Sequence, residues 1–180
     1  MKLRANQITP TDRAFMNLGT EYYRWERFAD AIDAYERALR LDARSPVLHG
    51  NLGDAYLRVG RKADAAREFD LARQGALAAL RVNDKDTRAM SRVAVFEAKL
   101  DLKKEATDHA ERAVALAPKD PEVQFKRAVV AALTGDRATA LRVLEAALSL
   151  GYKAADASID YDLSSIKASP EFGAVVNRHR

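Results

Sequence analysis

Three observations predict an all-helical fold of stacked antiparallel helix pairs. The first is an echo. The triplet Asn-Leu-Gly occurs at 17–19 and again at 51–53, and each copy is followed three residues later by a tyrosine, Tyr22 and Tyr56. The second is a frame of small residues. With units beginning at Asp12, Pro46, Thr87 and Pro121, the eighth position holds Gly19, Gly53, Ala94 and Ala128. The twentieth holds Ala31, Ala65, Ala106 and Ala140, and the twenty-seventh Ala38, Ala72, Ala113 and Ala147. Composition alone would place roughly three small residues among these positions. All are small, as the close crossing of two helix backbones requires. The third is composition: 8 glycines and 5 prolines in 180 residues leave a chain rich in good helix formers.

The elements follow in order. Thr9-Pro10 signals the first helix, with Leu18, Gly19 and Tyr22 on its packing face. Its partner carries Phe28, Ala31, Ile32, Tyr35, Ala38 and Leu39, a stripe with helical period. Ser45-Pro46 opens the second unit, a capping side chain followed by a proline whose missing N–H is harmless in the first turn. Gly60 marks the stop of that helix. The interval from Pro46 to Thr87 is seven residues longer than the repeat. Seven residues are almost two helical turns, so "ADAAREFDLARQGALAALRV" reads as one long second helix from about Lys62 to Val82, with Gly75 as a point of bending. It should exceed its neighbours by about 10 Å. Asp86-Thr87 opens the third unit and Asp120-Pro121 the fourth; Gly135 marks the stop in the latter. Ser169-Pro170 opens one more helix near the end.

Composition narrows the chemistry. The chain has no cysteine, which removes disulfides and thiolate chemistry. No apolar run is long enough to span a bilayer. The start "MKLRANQITP" has a basic tip without an apolar core, so a cytoplasmic location is expected. His49, His109 and His179 lack partners at metal-ligand spacing, and His49 reads as a packing residue. There is neither a glycine-rich phosphate loop nor a nucleophile elbow. Asp101, Glu105 and Asp108 read as a solvated face with Lys104 and Arg112 as i,i+4 partners. The expectation is a chain without catalysis, cofactor or metal.

The segments "FMNLGTEYYRWERFADAIDAYERALRLDA" and "HGNLGDAYLRVGRKADAAREFDLA" resemble the tetratricopeptide repeat. More divergent matches are "AERAVALAPKD" and "RAVVAALTGDRATALRVLEAAL". The resemblance implies a right-handed superhelical α-solenoid of about four repeats over residues 10–150, after a flank at 1–9. The last thirty residues, with Gly151-Tyr152, Asp162-Leu163 and Pro170-Phe172, resemble the closing segment of bacterial arrays, a short helical cap over 151–180.

In that geometry the first helix of each unit lines a concave groove. The candidate ligand-binding residues are Arg13, Asn17 and Arg24; Asn51, Asp54 and Arg58; Arg88, Arg92, Val95 and Lys99; and Lys126. With Glu122 of the fourth unit on the same helix face, the groove has seven basic and two acidic residues, a larger charge than the +4 of the whole chain. Asn51, Arg88 and Arg92 match three places at which related domains hold a C-terminal carboxylate, whereas Met16 and Thr20 replace the lysine and second asparagine of that clamp. The expected function is a protein-interaction module that binds a peptide or acidic segment of a partner. A self-associating scaffold and the regulatory C-terminal part of a larger enzyme, such as a protein kinase, are the alternatives. No nucleic-acid ligand is expected, because stacking aromatics are few along the groove.

Overall fold

A computed structural model describes residues 11–179. The expected flank 1–9 and the Thr9-Pro10 signal lie outside the described residues. Among those described there is no strand. The helices are α1 (Asp12–Arg24), α2 (Phe28–Leu41), α3 (Pro46–Arg58), α4 (Lys62–Val82), α5 (Thr87–Lys99), α6 (Lys103–Leu116), α7 (Pro121–Thr134) and α8 (Arg137–Ser149). The tail adds α9 (Ala154–Ile159), a 3₁₀ turn (Tyr161–Leu163), α10 (Ser164–Lys167) and α11 (Pro170–Asn177). The chain divides into two compact units at Ala72/Arg73, and α4 begins in the first and ends in the second.

The helix starts are chemically defined. Thr11 caps α1: its Oγ1 accepts the Ala14 amide at 3.1 Å. Ser45 caps α3, Asp86 caps α5, Asp120 caps α7 and Ser169 caps α11, each accepting an amide of the first turn. Each cap satisfies a donor that would otherwise lack a partner and is worth about 1 kcal/mol.

The stops share one geometry. The fifteenth residue of every unit has positive φ: Glu26 at 58°, Gly60 at 79°, Asp101 at 61° and Gly135 at 94°. The next amide reaches back five residues, as in Arg27 to the Tyr22 carbonyl, Arg61 to Tyr56, Leu102 to Glu97 and Asp136 to Ala131, at 2.8–2.9 Å. This 6→1 bond with a left-handed residue before it is the hallmark of a Schellman ending. Two of the four left-handed positions carry a side chain, so the same turn costs more there.

Within the first unit, α1 and α2 cross on Gly19, Ala31 and Ala38, and α3 and the first half of α4 carry Gly53, Ala65 and Ala72; all six are buried. Positions eight and twenty-four are fitted by size. A methyl added to Gly19 would lie 2.6 Å from the Tyr35 ring, and one added to Gly53 would lie 2.6 Å from the Phe69 ring. The second unit uses Ala94 with Ala110 and Ala128 with Leu144, so the larger eighth residue goes with a smaller twenty-fourth.

In the second unit the tail joins the same core as α5–α8. Leu163, Ile166, Phe172, Val175 and Val176 are buried in one cluster with Val129, Leu144 and Leu148. Tyr152 stacks on Phe125 with ring centroids 3.9 Å apart and planes 7° from parallel. Burying Leu163 and Ile166 alone contributes about 1.5–3 kcal/mol each.

Candidate ligand-binding face of the second unit

Arg88 and Arg92 stand one turn apart on α5, with Ser91 between them. Facing them from α7 are Glu122, Val123 and Lys126, and the six enclose an open cavity of about 340 Å³. Three cations and one carboxylate therefore meet there. Lys126 Nζ lies 3.7 Å from Glu122 Oε1 and 5.4 Å from the centroid of the Phe125 ring. Among the described residues, neither the Arg88 nor the Arg92 guanidinium has an acidic partner, and both residues are exposed. Like charges one turn apart repel, so this arrangement has an electrostatic cost.

Ser91 is only 4% exposed, and its Oγ has no hydrogen-bond partner. A buried hydroxyl left unpaired costs about 1–3 kcal/mol.

The tail covers the far end of this face. The Lys99 side chain is 4% exposed, and its Nζ lies 2.9 Å from Asp162 Oδ2. Val95 is buried in the shared core. Ser165 Oγ donates to the Ala132 carbonyl at 3.0 Å, and Phe125, Val129 and Ala132 are all buried. The sequence expectation that Lys99 and Val95 line an open groove is therefore corrected. Lys99 is consumed by an internal ion pair, and Val95 is core. Asp160, beside this pair, has its carboxyl held above the usual aspartate range, chiefly by burial and then by the charge of Asp162. The Asp162 amide, Lys126 and Lys99 oppose that shift.

The remaining expected residues lie in the first unit. Arg13 and Asn17 are exposed on α1, and Arg24 pairs with Glu21 at 3.2 Å. Asn51 and Asp54 are half-buried on α3, and the Arg58 guanidinium lies 5.8 Å from the Phe28 ring centroid. Asn51 thus belongs to one unit and Arg88 and Arg92 to the other.

Two pairs of a buried carboxylate with a half-buried histidine escaped the sequence reading. His49 Nδ1 lies 2.7 Å from Glu68 Oε2, and His109 Nδ1 lies 2.7 Å from Glu97 Oε2. Glu97 is 3% exposed and occupies the eleventh position, where the first two units have Tyr22 and Tyr56. Burial pushes its carboxyl up, while the bond to His109 pulls it back. A carboxylate in a tyrosine position was the available signal that a polar partner must face it. The acidic stretch of α6 is mostly as expected: Lys104 pairs with Asp108 at 3.0 Å. Arg112, however, turns to Asp84, 3.4 Å from its carbonyl.

Among the described residues no cluster of three or more histidine and carboxylate side chains is placed to hold a metal ion. None of their helices is long and apolar enough to cross a membrane.

Paired helices with small crossing residues and Schellman stops define a helical-repeat protein. Residues 13–44 match the tetratricopeptide repeat family model, and the paired-helix fold is that of tetratricopeptide repeat proteins. Proteins of this class mediate protein–protein interaction. No curated protein matches the chain in sequence. Among solved structures, it is similar to TTC0263, a thermophilic TPR protein of Thermus thermophilus, at 18% identity and a TM-score of 0.59, covering 94% of this chain and 88% of that one. It is also similar to a chain of the APC/C hetero-tetramer Cut9-Hcn1, at 16% identity and a TM-score of 0.53, covering 94% of this chain and 30% of that one. The first TPR of Spaghetti (RPAP3), bound to the HSP90 peptide SRMEEVD, aligns at 23% identity and a TM-score of 0.45, covering 71% of this chain and 96% of that one.

Proposed function

We propose that this protein is a non-catalytic interaction module that binds an acidic segment of a partner protein on the α5–α7 face of its second unit. The observation that carries the reading is the pair of guanidinium groups of Arg88 and Arg92, exposed, unpaired with any acid among the described residues and opening on a cavity that Lys126 also lines. Surface arginines are ordinarily offset by a nearby carboxylate or left apart. Here two of them share one helix face, and Glu122 is the sole acid on the cavity wall. An anionic side chain placed between them would turn mutual repulsion into two charge-assisted hydrogen bonds. The tail limits the accessible length of the face, because Lys99 is already neutralised by Asp162. The ligand is therefore expected to present its negative charge over a short span.

The test is titration of immobilised acidic peptides at two salt concentrations against wild type, Arg88→Ala/Arg92→Ala, and Arg142→Ala on the exposed side of α8. Binding should weaken with salt, since exposed charges are screened beyond about 10 Å at 0.1 M. The double variant should lose most of it and the α8 variant little. Equal losses from both variants would refute the placement, and binding indifferent to salt would refute the electrostatic mechanism.

A further inference from the structure

We infer that the α5–α7 cavity is a site for a phosphate monoester, in the form of a phosphorylated serine or threonine of the partner. The inference rests on the reading above and narrows it to one ligand chemistry.

Three features point to a dianion with several acceptors. The first is charge balance. Arg88, Arg92 and Lys126 against Glu122 leave two positive charges on the cavity wall. A carboxylate offsets one of them. A phosphate monoester, with a charge of about −1.5 to −2 near neutral pH, offsets nearly both. The second is donor geometry. Two guanidinium groups spaced by one helical turn offer separate forks, and planar forks bind phosphate oxygens pairwise. A third oxygen then needs a donor of its own. The third feature is Ser91. Ser91 lies between the two arginines in sequence and is among the residues that line the cavity, and its buried Oγ has no hydrogen-bond partner among the described residues. On binding, a change of its χ1 that brings the O–H to the cavity would let it donate to the remaining oxygen. The arrangement thus supplies a donor for each kind of phosphate oxygen, and the ligand supplies the acceptor that Ser91 lacks.

Nucleic-acid phosphate fits less well. The cavity has no aromatic side chain on which a base could stack, and its charge is gathered at one point instead of along a track.

The experiment uses the full chain, isotope-labelled, and three peptides of one sequence: Ala-Ala-Xaa-Ala-Ala with phosphoserine, glutamate or serine at the centre. Inorganic phosphate, acetate and a thymidine hexanucleotide are the further probes. The phosphoserine peptide should shift the amide resonances of Arg88, Ser91, Arg92 and Lys126 and bind at least tenfold more tightly than the glutamate peptide. Its affinity should fall several-fold from pH 7 to pH 5, as the second phosphate proton, with pKa near 6, returns. Arg88→Ala/Arg92→Ala should weaken it tenfold or more with an unchanged circular dichroism spectrum. Ser91→Ala should weaken it several-fold while leaving the melting temperature equal or higher, because the unpaired hydroxyl is gone.

If the glutamate peptide binds as tightly as the phosphoserine peptide at this face, the phosphate assignment is overturned and the acidic-peptide reading stands. If no peptide shifts these residues, both fall. If the hexanucleotide binds the face more tightly than the phosphoserine peptide, the ligand is a nucleic acid and the assignment is likewise overturned.

Discussion

Replacing Gly53 by alanine sets two known effects against each other. Removing a glycine from a helix interior favours folding by about 0.8–1 kcal/mol. At this site the new methyl would lie 2.6 Å from Phe69 Cε1 and 2.8 Å from Cδ1. Carbon atoms rest comfortably at about 3.5–4 Å, so the ring must retreat by about 1 Å. Phe69 is 1% exposed and has no solvent into which it can swing. Overpacking of this kind costs about 1–3 kcal/mol. The steric term wins, and Gly53→Ala should destabilise by about 1 kcal/mol net. Gly173 in α11 has nothing within 4 Å of the same added atom, so Gly173→Ala should stabilise by about 0.5–1 kcal/mol. The chain itself suggests the rescue: in the fourth repeat an alanine at position eight goes with Leu144 at position twenty-four. Phe69→Leu should therefore relieve Gly53→Ala, giving a favourable coupling of about 1 kcal/mol in a double-mutant cycle. Urea unfolding followed by the fluorescence of Trp25, the single tryptophan and a first-unit residue, reads the affected unit. A stabilised Gly53→Ala, or a cycle with no coupling, would refute the size-matching argument.

Asp101→Gly should raise stability by about 1 kcal/mol, because Asp101 sits at φ 61° where glycine is unstrained, and its contact with Lys103 at 3.6 Å is solvent-exposed; thermal melting checks it. Asp160→Asn should stabilise the protein near neutral pH and progressively less on acidification. The native carboxyl is raised above the ordinary aspartate value, so the folded state binds its proton more tightly than the unfolded chain does. Its contribution is favourable below the ordinary value and is lost as pH rises through the raised one. Asparagine keeps the acceptor for the Asp162 amide without the buried charge. Melting curves of both proteins from pH 4 to pH 7 should diverge with rising pH; parallel curves would contradict the assignment.

The repeat frame is legible in the sequence because it depends on short-range grammar. Small residues at fixed positions and capping side chains before a helix are local, and all twelve small positions are buried. The length of α4 follows from the same grammar, since seven inserted residues rich in alanine and leucine preserve a helical face. The burial of Lys99 is not legible, because its partner lies 63 residues later, in a tail whose path over α7 no local pattern encodes. The left-handed conformations of Glu26 and Asp101 are equally hidden: glycine is the cue for a stop, and a Schellman ending tolerates other residues at a cost. The cationic cavity is half visible. The spacing of Arg88 and Arg92 gives a shared helix face, but the unpaired Ser91 hydroxyl exists only once α5 and α7 are packed.

A polypeptide made of near-copies can misfold by bringing the right helix to the wrong partner, a failure typical of repeat chains. Here the fit between facing positions discriminates among such pairings. Tyr35 or Phe69, brought against Ala128, would drive an aromatic ring into a methyl group that their own partners lack. Leu144, brought against Gly53, would leave an unfilled space where Phe69 belongs. Each of these exchanges loses contact or gains strain. Mismatched bulk thus sorts the hairpins into two kinds, with glycine-bearing first helices accepting an aromatic partner and alanine-bearing ones a smaller side chain.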